Sequence, residues 1–246
     1  MNSRLSILGA GLLVATAAQA RAQGVQLRYT PPVGQVTHYR MMNRTWASPD
    51  TTTAPTAQIA MYQTQTVMGM DSGNYVVKTV TDSTVMQGGG GGQRDMMRGM
   101  AVTVKMDPRG HVLSTQVTPP PGLPSIIGNM LTKNTSSNDN PRNRVWPEGT
   151  INPGDTWTDS TTMSAGGGRG RPKPVVFRVT YKYERLERQA GNRIVVISMN
   201  GAPQGGETAV LTGEMAIDID AGRMAHMVSD MTQGQSLTRV AMDMLP

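Results

Sequence analysis

The sequence has no cysteine, only three histidines and one phenylalanine, and aromatic residues make up 4% of the chain. Without cysteine the protein has no disulfide, no thiol nucleophile and no thiolate metal site. The few aromatic rings, together with lysines and arginines that do not cluster on one predicted face, argue against nucleic-acid binding, which needs basic surfaces with stacking rings. We therefore expect no nucleic-acid partner.

Long hydrophobic runs are also missing, apart from one short run at the start. Arg4 precedes an almost wholly apolar stretch, Leu5 to Ala17, and two overlapping small-x-small sites lie within Ala18–Ala22. A positive start, an apolar run too short to span a bilayer and a small-x-small cleavage site are the layout of a secretory signal peptide. We predict that residues 1–22 are a signal peptide and that the mature chain is periplasmic or secreted, without a transmembrane segment. Because no cysteine follows the apolar run, we expect no lipid anchor.

Strand signals dominate the rest of the chain. Apolar and polar side chains alternate strictly in Pro174–Arg185, which is typical of a strand with one buried and one solvated face. Turn sequences such as Asp71–Gly73 and Asp107–Gly110 separate further strand-like segments, the first of them at Val25–Tyr29. Only Ser125–Leu131 has a convincing helix pattern. The sequence predicts a mainly β protein: an antiparallel sheet of about ten or more strands, curved into a half-barrel or open barrel, with this one short helix covering its concave side.

Two segments of the predicted single β domain, residues 23–246, are similar to each other. Gly99–Val104 resembles Gly213–Ile219, and each segment is followed by a turn and a histidine-bearing strand. The offset of about 115 residues suggests two related halves, about 24–118 and 145–246, joined by a Pro-rich and polar linker. Generic hairpins also produce such matches, so duplication and chance are both open at this point.

The acidic and histidine residues do not form a pattern that predicts catalysis. Asp218 and Asp220 are close enough to act as an acid–base pair, but their alternation with apolar residues explains them as the solvent side of an amphipathic strand. The histidines are too far apart for a local metal motif, and there is no G-x-S-x-G elbow. We therefore expect a non-enzymatic protein that needs no cofactor.

Methionine is abundant, with 20 residues, and forms close groups such as Met96, Met97 and Met100. Thioethers are soft ligands that select Cu(I), so a methionine-based copper site is one alternative function. Ordinary core packing is the simpler interpretation of methionines on strands. A further alternative is an interaction or structural module of the envelope that uses the glycine-rich segments Gly88–Gly92 and Gly166–Lys173 as contact tips.

Three segments carry a resemblance to known sequences. Trp146–Trp157 is similar to a Pro-x-x-x-Val-x-Pro-Gly-Asp-Ser-Trp segment of uncharacterised exported bacterial β-proteins, and Tyr29–Tyr39 resembles their first Gly-Gln-x-x-x-Tyr strand pair. Gly222-Arg223 is similar to the turn of their late strands. The resemblance implies an exported β-protein related in outline to the half-barrels of the LolA/LppX type, whose curled sheet holds lipid or acyl chains. No catalytic residues are defined for that group, so the resemblance implies none here.

These observations predict a non-enzymatic protein that binds a lipid or another hydrophobic small molecule in the cell envelope. A curved sheet with methionine and small residues inside suits an apolar ligand of variable shape. The alternative is that the inward apolar residues fill a solid core, which is their default role. The candidate lining residues belong to two predicted strands and the helix: Phe177, Val179, Tyr181, Met215, Ile217, Ile219, Ile127 and Met130.

Overall fold

The computed structural model describes residues 24–87, 97–120, 122, 146–165, 173–205 and 208–246. The regular structure in these ranges is entirely β, and it forms one open antiparallel sheet of 11 strands. The predicted fold class is therefore confirmed. The predicted helix Ser125–Leu131 lies outside the described residues. Within the described ranges, no helix is long and apolar enough to cross a membrane.

The strands follow one another as a meander of hairpins, and most of them were predicted from the sequence. The predicted segments on either side of Asp71–Gly73 and of Asp107–Gly110 pair as expected. The predicted strand at Val25–Tyr29 is wrong, because that segment leaves the plane of the sheet and makes a single bridge, to Ile151. The strands are β1 (Val36–Trp46), β2 (Ala57–Asp71), β3 (Asn74–Gln87), β4 (Ala101–Met106), β5 (Val112–Thr118), β6 (Thr156–Ala165), β7 (Lys173–Gln189), β8 (Asn192–Pro203), β9 (Ala209–Asp218), β10 (Arg223–Gln233) and β11 (Ser236–Met244).

The first and the last strand meet in the middle of the sheet. The spatial order is β5-β4-β3-β2-β1-β11-β10-β9-β8-β7-β6, so β5 and β6 are the two edges. We call the pairing of β1 with β11 the seam, and its register runs from Tyr39 opposite Met244 to Trp46 opposite Leu237. Strands β1–β5 lie on one side of the seam and β6–β11 on the other. The origin of the two halves by duplication stays a prediction.

One face of the sheet, the outer face, carries ion pairs across the seam. Directly opposite residues of antiparallel strands share a face, and Asp243 of β11 lies opposite both Arg40 of β1 and His226 of β10. The Asp243 carboxylate accepts a hydrogen bond from Arg40 Nη2 at 2.9 Å and lies 2.7 Å from His226 Nδ1. Hydrogen bonding from Arg40, supported by His226, holds the pKa of Asp243 below its usual range although partial burial opposes this shift. One carboxylate therefore links three neighbouring strands.

The opposite face, the inner face, carries two packed clusters at different places on the sheet. The larger cluster lies on β7, β8 and β9, where alternate residues of each strand are apolar and point to the same side. The smaller cluster lies on β2 and β3 and contains Val67, Tyr75 and Val77. The fully buried side chains of the larger cluster include Phe177, Tyr183, Val195, Ile197 and Met215.

Curvature of the sheet follows from the residues that meet on this face. Met106 of β4 and Ile217 of β9 line one cavity of about 250 Å³. Six inter-strand steps separate these two strands in the sheet. In a flat sheet that separation would be roughly 29 Å, which is too far for both side chains to line one compact cavity. The sheet must therefore curve around its inner face, as predicted.

An irregular segment, residues 24–35, crosses the inner face, and we call it the first strap. Leu27 is 1% exposed and belongs to the larger cluster. Two residues later, the Tyr29 ring packs edge-on against Tyr75 of the smaller cluster, with 5.3 Å between the ring centroids. The Tyr29 backbone N–H also donates to the carbonyl of Pro108 at 2.8 Å. The first strap thus runs from one cluster to the other.

A second strap, residues 146–151, lies beside the first. Val25 and Ile151 exchange two backbone hydrogen bonds of 2.8 Å each. At the other end, Arg109 donates to the carbonyl of Trp146 at 3.0 Å and to the carboxylate of Glu148 at 2.7 Å. We expected a helix to cover the concave face. Among the described residues, these two irregular segments cover it.

The contact between the first strap and the sheet gives a prediction about Gly222, in the turn between β9 and β10. Gly222 has a φ of +61°, and a Cβ at this position would lie 2.6 Å from the carbonyl carbon of Thr30. Gly234 has a φ of +59° with no atom near its Cβ position, so Gly234→Ala is a control with the same backbone strain. We expect Gly222→Ala to lower the free energy of unfolding in urea by about 1–3 kcal/mol more than Gly234→Ala, because only the former collides with backbone. Equal losses would show that the strap does not pack against this turn.

The Asp243 network predicts a pH-dependent contribution to stability. The folded pKa of Asp243 is lowered, so its ionised form stabilises the fold above about pH 4, and this contribution is lost as the pH falls through the folded value. We expect Asp243→Asn to lower the urea midpoint at pH 7 and to converge with the unsubstituted protein as the pH drops below about 4.

A control variant removes the same charge elsewhere. Asp82 is an exposed β3 residue that accepts a hydrogen bond from the Thr64 hydroxyl, and the amide oxygen in Asp82→Asn can accept that bond too. Its urea midpoint should stay close to that of the unsubstituted protein at both pH values. A loss in Asp243→Asn that did not depend on pH would contradict the role given to its charge.

Candidate functional site: a cavity on the inner face

A cavity of about 250 Å³ lies on the inner face between the two clusters. Ile217 of its wall belongs to the larger cluster, and Tyr29 packs against the smaller one. Arg28, Tyr29 and Trp146 of the straps line one side of it, β1, β2, β10 and β11 provide most of its floor, and it is partly open to solvent. The lining residues are Arg28, Tyr29, Tyr39, Met41, Gln63, Gln65, Thr79, Met106, Gly110, Trp146, Ile217, Gly222, Arg223, Met224, Met227 and Met242.

Strand register places a row of five methionines across the inner face. Met61 of β2 lies opposite Met41 of β1, and Met41 lies opposite Met242 of β11. Met242 lies opposite Met227 of β10, which lies opposite Met215 of β9. Directly opposite Cα atoms are about 4.5–5.5 Å apart, so neighbouring side chains of the row can touch. The row runs from the centre of the sheet into the larger cluster.

The methionines of this row are not equally packed. Met215 is fully buried in the larger cluster. Met41, Met227 and Met242 are half-buried and line the cavity. Methionine is unbranched and flexible, so it can adapt its shape to a neighbour without a large energetic cost. The middle of the inner face is therefore an adaptable apolar surface between two rigid cores.

Among the described lining residues, two arginines are the only charged side chains. Arg28 donates to the backbone carbonyls of Leu27 at 2.6 Å and Pro147 at 2.8 Å, and also to the carbonyl of Glu148. Arg223 donates to the Thr37 hydroxyl at 3.3 Å, and its buried Nε has no hydrogen-bond partner among the described residues. No carboxylate is part of the described lining. The cavity walls therefore carry two positive charges.

Two tyrosines of the lining stay neutral at neutral pH. Burial raises the pKa of Tyr39 to about 12, against an opposing effect of the nearby Arg223 guanidinium. Burial also raises the pKa of Tyr29. The Tyr39 hydroxyl donates to the carbonyl of Met224 at 3.1 Å. Since neither phenol ionises, neither compensates the charge of the arginines.

The structure separates the predicted lining residues into three groups. Ile217 lines the cavity. Phe177, Val179, Tyr181 and Met215 are buried in the larger cluster and are not among the lining residues, and Ile219 is partly buried against the same cluster. Ile127 and Met130 lie outside the described residues. The packed positions agree with the solid-core interpretation of these strands, and a role of these residues in ligand contact stays a prediction.

Sequence reasoning did not identify most of the cavity. Met41 and Met242 stand out as members of methionine groups, but they are 201 positions apart in the chain, and only strand register shows that they are neighbours. Arg223 follows a glycine in a Gly-Arg turn, and that sequence pattern indicates a turn but not a binding residue. No local sequence signal links Arg28 or Trp146 to the site, because the straps have no regular hydrogen-bond pattern.

The prediction that Asp218 lies on the solvent side of an amphipathic strand is wrong. Asp218 does not lie on a solvated face: it is 2% exposed. Its carboxylate accepts hydrogen bonds from Asn192 Nδ2 at 2.7 Å and from the backbone N–H of Ala221 at 2.9 Å. Asp218 therefore caps the turn that ends β9, and sequence alternation failed here because the strand ends at this residue. Asp220 is exposed and pairs with Arg193 at 2.6 Å.

The proposed metal and contact sites are only partly described. Met97 and Met100 lie in the turn before β4, and Met96 lies outside the described residues. No group of three or more His, Cys, Asp or Glu that could hold a metal occurs within the described ranges. The glycine-rich segment Gly88–Gly92 and all but the last residue of Gly166–Lys173 are outside those ranges. The copper and contact-tip hypotheses stay predictions.

Comparison with known proteins does not identify a function for this cavity. No protein-family model and no curated protein matches the chain. Among solved structures, the chain is similar to the hypothetical lipoprotein YmcC from Escherichia coli (K12), with 12% identity and a TM-score of 0.36. The similarity covers 87% of this chain and 88% of that one. A similarity this weak carries no functional argument, and the relation to LolA/LppX-type proteins stays a prediction.

Proposed function

We propose that this chain is an exported, non-enzymatic protein of the cell envelope that binds a hydrophobic molecule, a lipid or part of one, in the cavity of its inner face. The observation that carries the proposal is that three half-buried methionines of the row, Met41, Met227 and Met242, line a cavity that the straps partly cover. Exposed or half-exposed apolar side chains that line a concavity are typical of ligand sites. Export rests on the signal-peptide pattern of residues 1–22.

The volume of the cavity, which is partly open to solvent, limits the size of the ligand that it can take. At roughly 30 Å³ for each water-sized group, a volume of about 250 Å³ holds about eight heavy atoms. That is enough for a segment of an acyl chain or a small ring system, but not for a complete two-chain lipid.

The chemistry of the lining favours binding over catalysis. The described lining contains no carboxylate, histidine, serine or lysine, which are among the groups that most often act as a general base or nucleophile. Its polar groups are the amides of Gln63 and Gln65 and the hydroxyl of Thr79, together with the two arginines and two neutral tyrosines described above. A few polar groups in an apolar pocket orient a ligand, as is usual for binding sites.

Filling the cavity tests the proposal. Met242→Trp places a larger side chain at the centre of the lining, whereas Met68→Trp makes the same change at a β2 residue that is 56% exposed and outside the cavity. With indole, a neutral two-ring compound of a size that the cavity can hold, as the probe in calorimetric titration, we expect Met242→Trp to weaken binding by about tenfold or more and Met68→Trp to bind as the unsubstituted protein does.

Thermal unfolding of both variants serves as the folding control for this experiment. Native mass spectrometry of the gently purified protein provides an independent readout, since bound acyl compounds would appear as mass adducts. Probe binding that is unchanged in a folded Met242→Trp variant would contradict the location of the site. Absence of any probe binding and of any adduct would contradict the function itself.

A further inference from the structure

We infer that the ligand is an anionic amphiphile, with a carboxylate or phosphate headgroup that binds Arg223 and an apolar segment of about eight heavy atoms along the cavity methionines. This inference rests on the proposed function and names the class of ligand. It follows from the charge of the walls, from one unsatisfied donor and from the way polar and apolar groups are distributed along the cavity.

Charge is the first argument. Buried or partly buried arginines are normally paired with an acidic group. Arg28 has backbone carbonyls as partners, and Arg223 has no carboxylate partner in the described part of the chain. Asp218 lies opposite Arg223 in the register of β9 and β10, but its carboxylate accepts hydrogen bonds from Asn192 and Ala221. Since the described lining lacks acidic residues and its tyrosines are neutral, the two arginines are the only charged groups of the described cavity wall. An anion that enters the cavity gains an electrostatic interaction that is strengthened by the low-dielectric surroundings.

The hydrogen bonds of Arg223 give the second argument. A guanidinium has five N–H donors in a planar fork, and the structure shows one long hydrogen bond for this group, of 3.3 Å to Thr37. Its buried Nε has no partner among the described residues. A carboxylate or phosphate can accept two parallel hydrogen bonds from such a fork. The free edge of Arg223 therefore matches the geometry of these anions.

The arrangement of groups along the cavity gives the third argument. Arg223 opens β10, and Met227 lies four residues further along the same strand, at most about 13 Å away in an extended chain. Two further polar groups lie at the arginine end of the cavity. The Thr37 hydroxyl accepts a hydrogen bond from Arg223, and the Tyr39 hydroxyl donates one to the carbonyl of Met224. Met227 and its row neighbours form the other end. A ligand with one anionic end and a short apolar segment matches this order of polar and apolar groups along the cavity.

Calorimetric titration of the purified protein with four compounds tests the inference. Octanoate and octyl phosphate carry the headgroup and the apolar segment, octanamide carries the segment without a charge, and acetate carries the charge without the segment. We expect octanoate or octyl phosphate to bind about tenfold or more tightly than octanamide, and acetate to bind much more weakly than octanoate. Which of the two anions binds better identifies the headgroup.

Two variants connect the preference to Arg223. Arg223→Met removes the guanidinium and keeps an apolar side chain of similar length, so the anions should bind no more tightly than octanamide. Arg178→Met makes the same change at an exposed β7 residue and should leave the affinities unchanged. If Arg223→Met does not fold, the affinities of the four compounds for the unsubstituted protein decide by themselves whether the ligand is an anionic amphiphile.

The outcomes separate this inference from the proposed function. Equal affinities for octanoate, octyl phosphate and octanamide would overturn the anionic headgroup, while the cavity would still bind an apolar molecule. Acetate that binds as tightly as octanoate would overturn the amphiphile in favour of a simple anion site. An anion preference that persists in folded Arg223→Met would overturn the role of this arginine. Binding of none of the four compounds would overturn both proposals.

Discussion

The pairing of β1 with β11 is the constraint on which the rest of this structure depends. It joins residues from opposite ends of the chain, such as Arg40 and Asp243, into one continuous sheet. Without it, the chain would form two smaller sheets with exposed edges. The register of the seam is fixed from both faces, because a shift of β11 by one residue would turn Asp243 inward, away from Arg40, and Met242 outward, away from Met41. The same pairing thus specifies the outer charges and the inner apolar row.

The inner face is divided into rigid and adaptable parts. In the methionine row, Met215 is fully packed by the larger cluster, whereas Met41 and Met242 are half-buried at the cavity. The residue type is the same, so the difference comes from what lies above each position. Over β7–β9 the strap residue Leu27 completes a packed core. Over the seam, the straps leave a cavity whose described lining has two arginines and no acidic residue, and this is the physical basis of both functional proposals.

The fold was predictable where its signals are local. Alternation in Pro174–Arg185 and turn sequences such as Asp71–Gly73 predicted strands and hairpins that the structure contains. The seam was not predictable in this way, because β1 and β11 carry no local sign of their pairing. The straps were also missed: Val25–Tyr29 has a strand-like pattern, yet Leu27 is buried by packing across the sheet, and its backbone is not part of the ladder.

The candidate site was predictable only in its general chemistry. Abundant methionine and an inward apolar face suggested an adaptable apolar lining, but the residues chosen from the clearest strand, Phe177 to Tyr181, lie in the solid core. Strict alternation identifies the best-packed strands, and a cavity forms where packing is incomplete. The lining residues Met41, Arg223 and Met242 come together through long-range register, which a single sequence does not display.

Labelling the methionine ε-methyl groups with carbon-13 and recording their NMR signals during titration with indole tests the central claim most directly. If the cavity at the seam binds apolar molecules, the signals of Met41, Met227 and Met242 should shift through the ring current of the probe. The signals of Met68 and Met70, which are 56% and 53% exposed, should stay in place. Shifts confined to these two exposed methionines, or no shifts at saturating probe, would contradict the account.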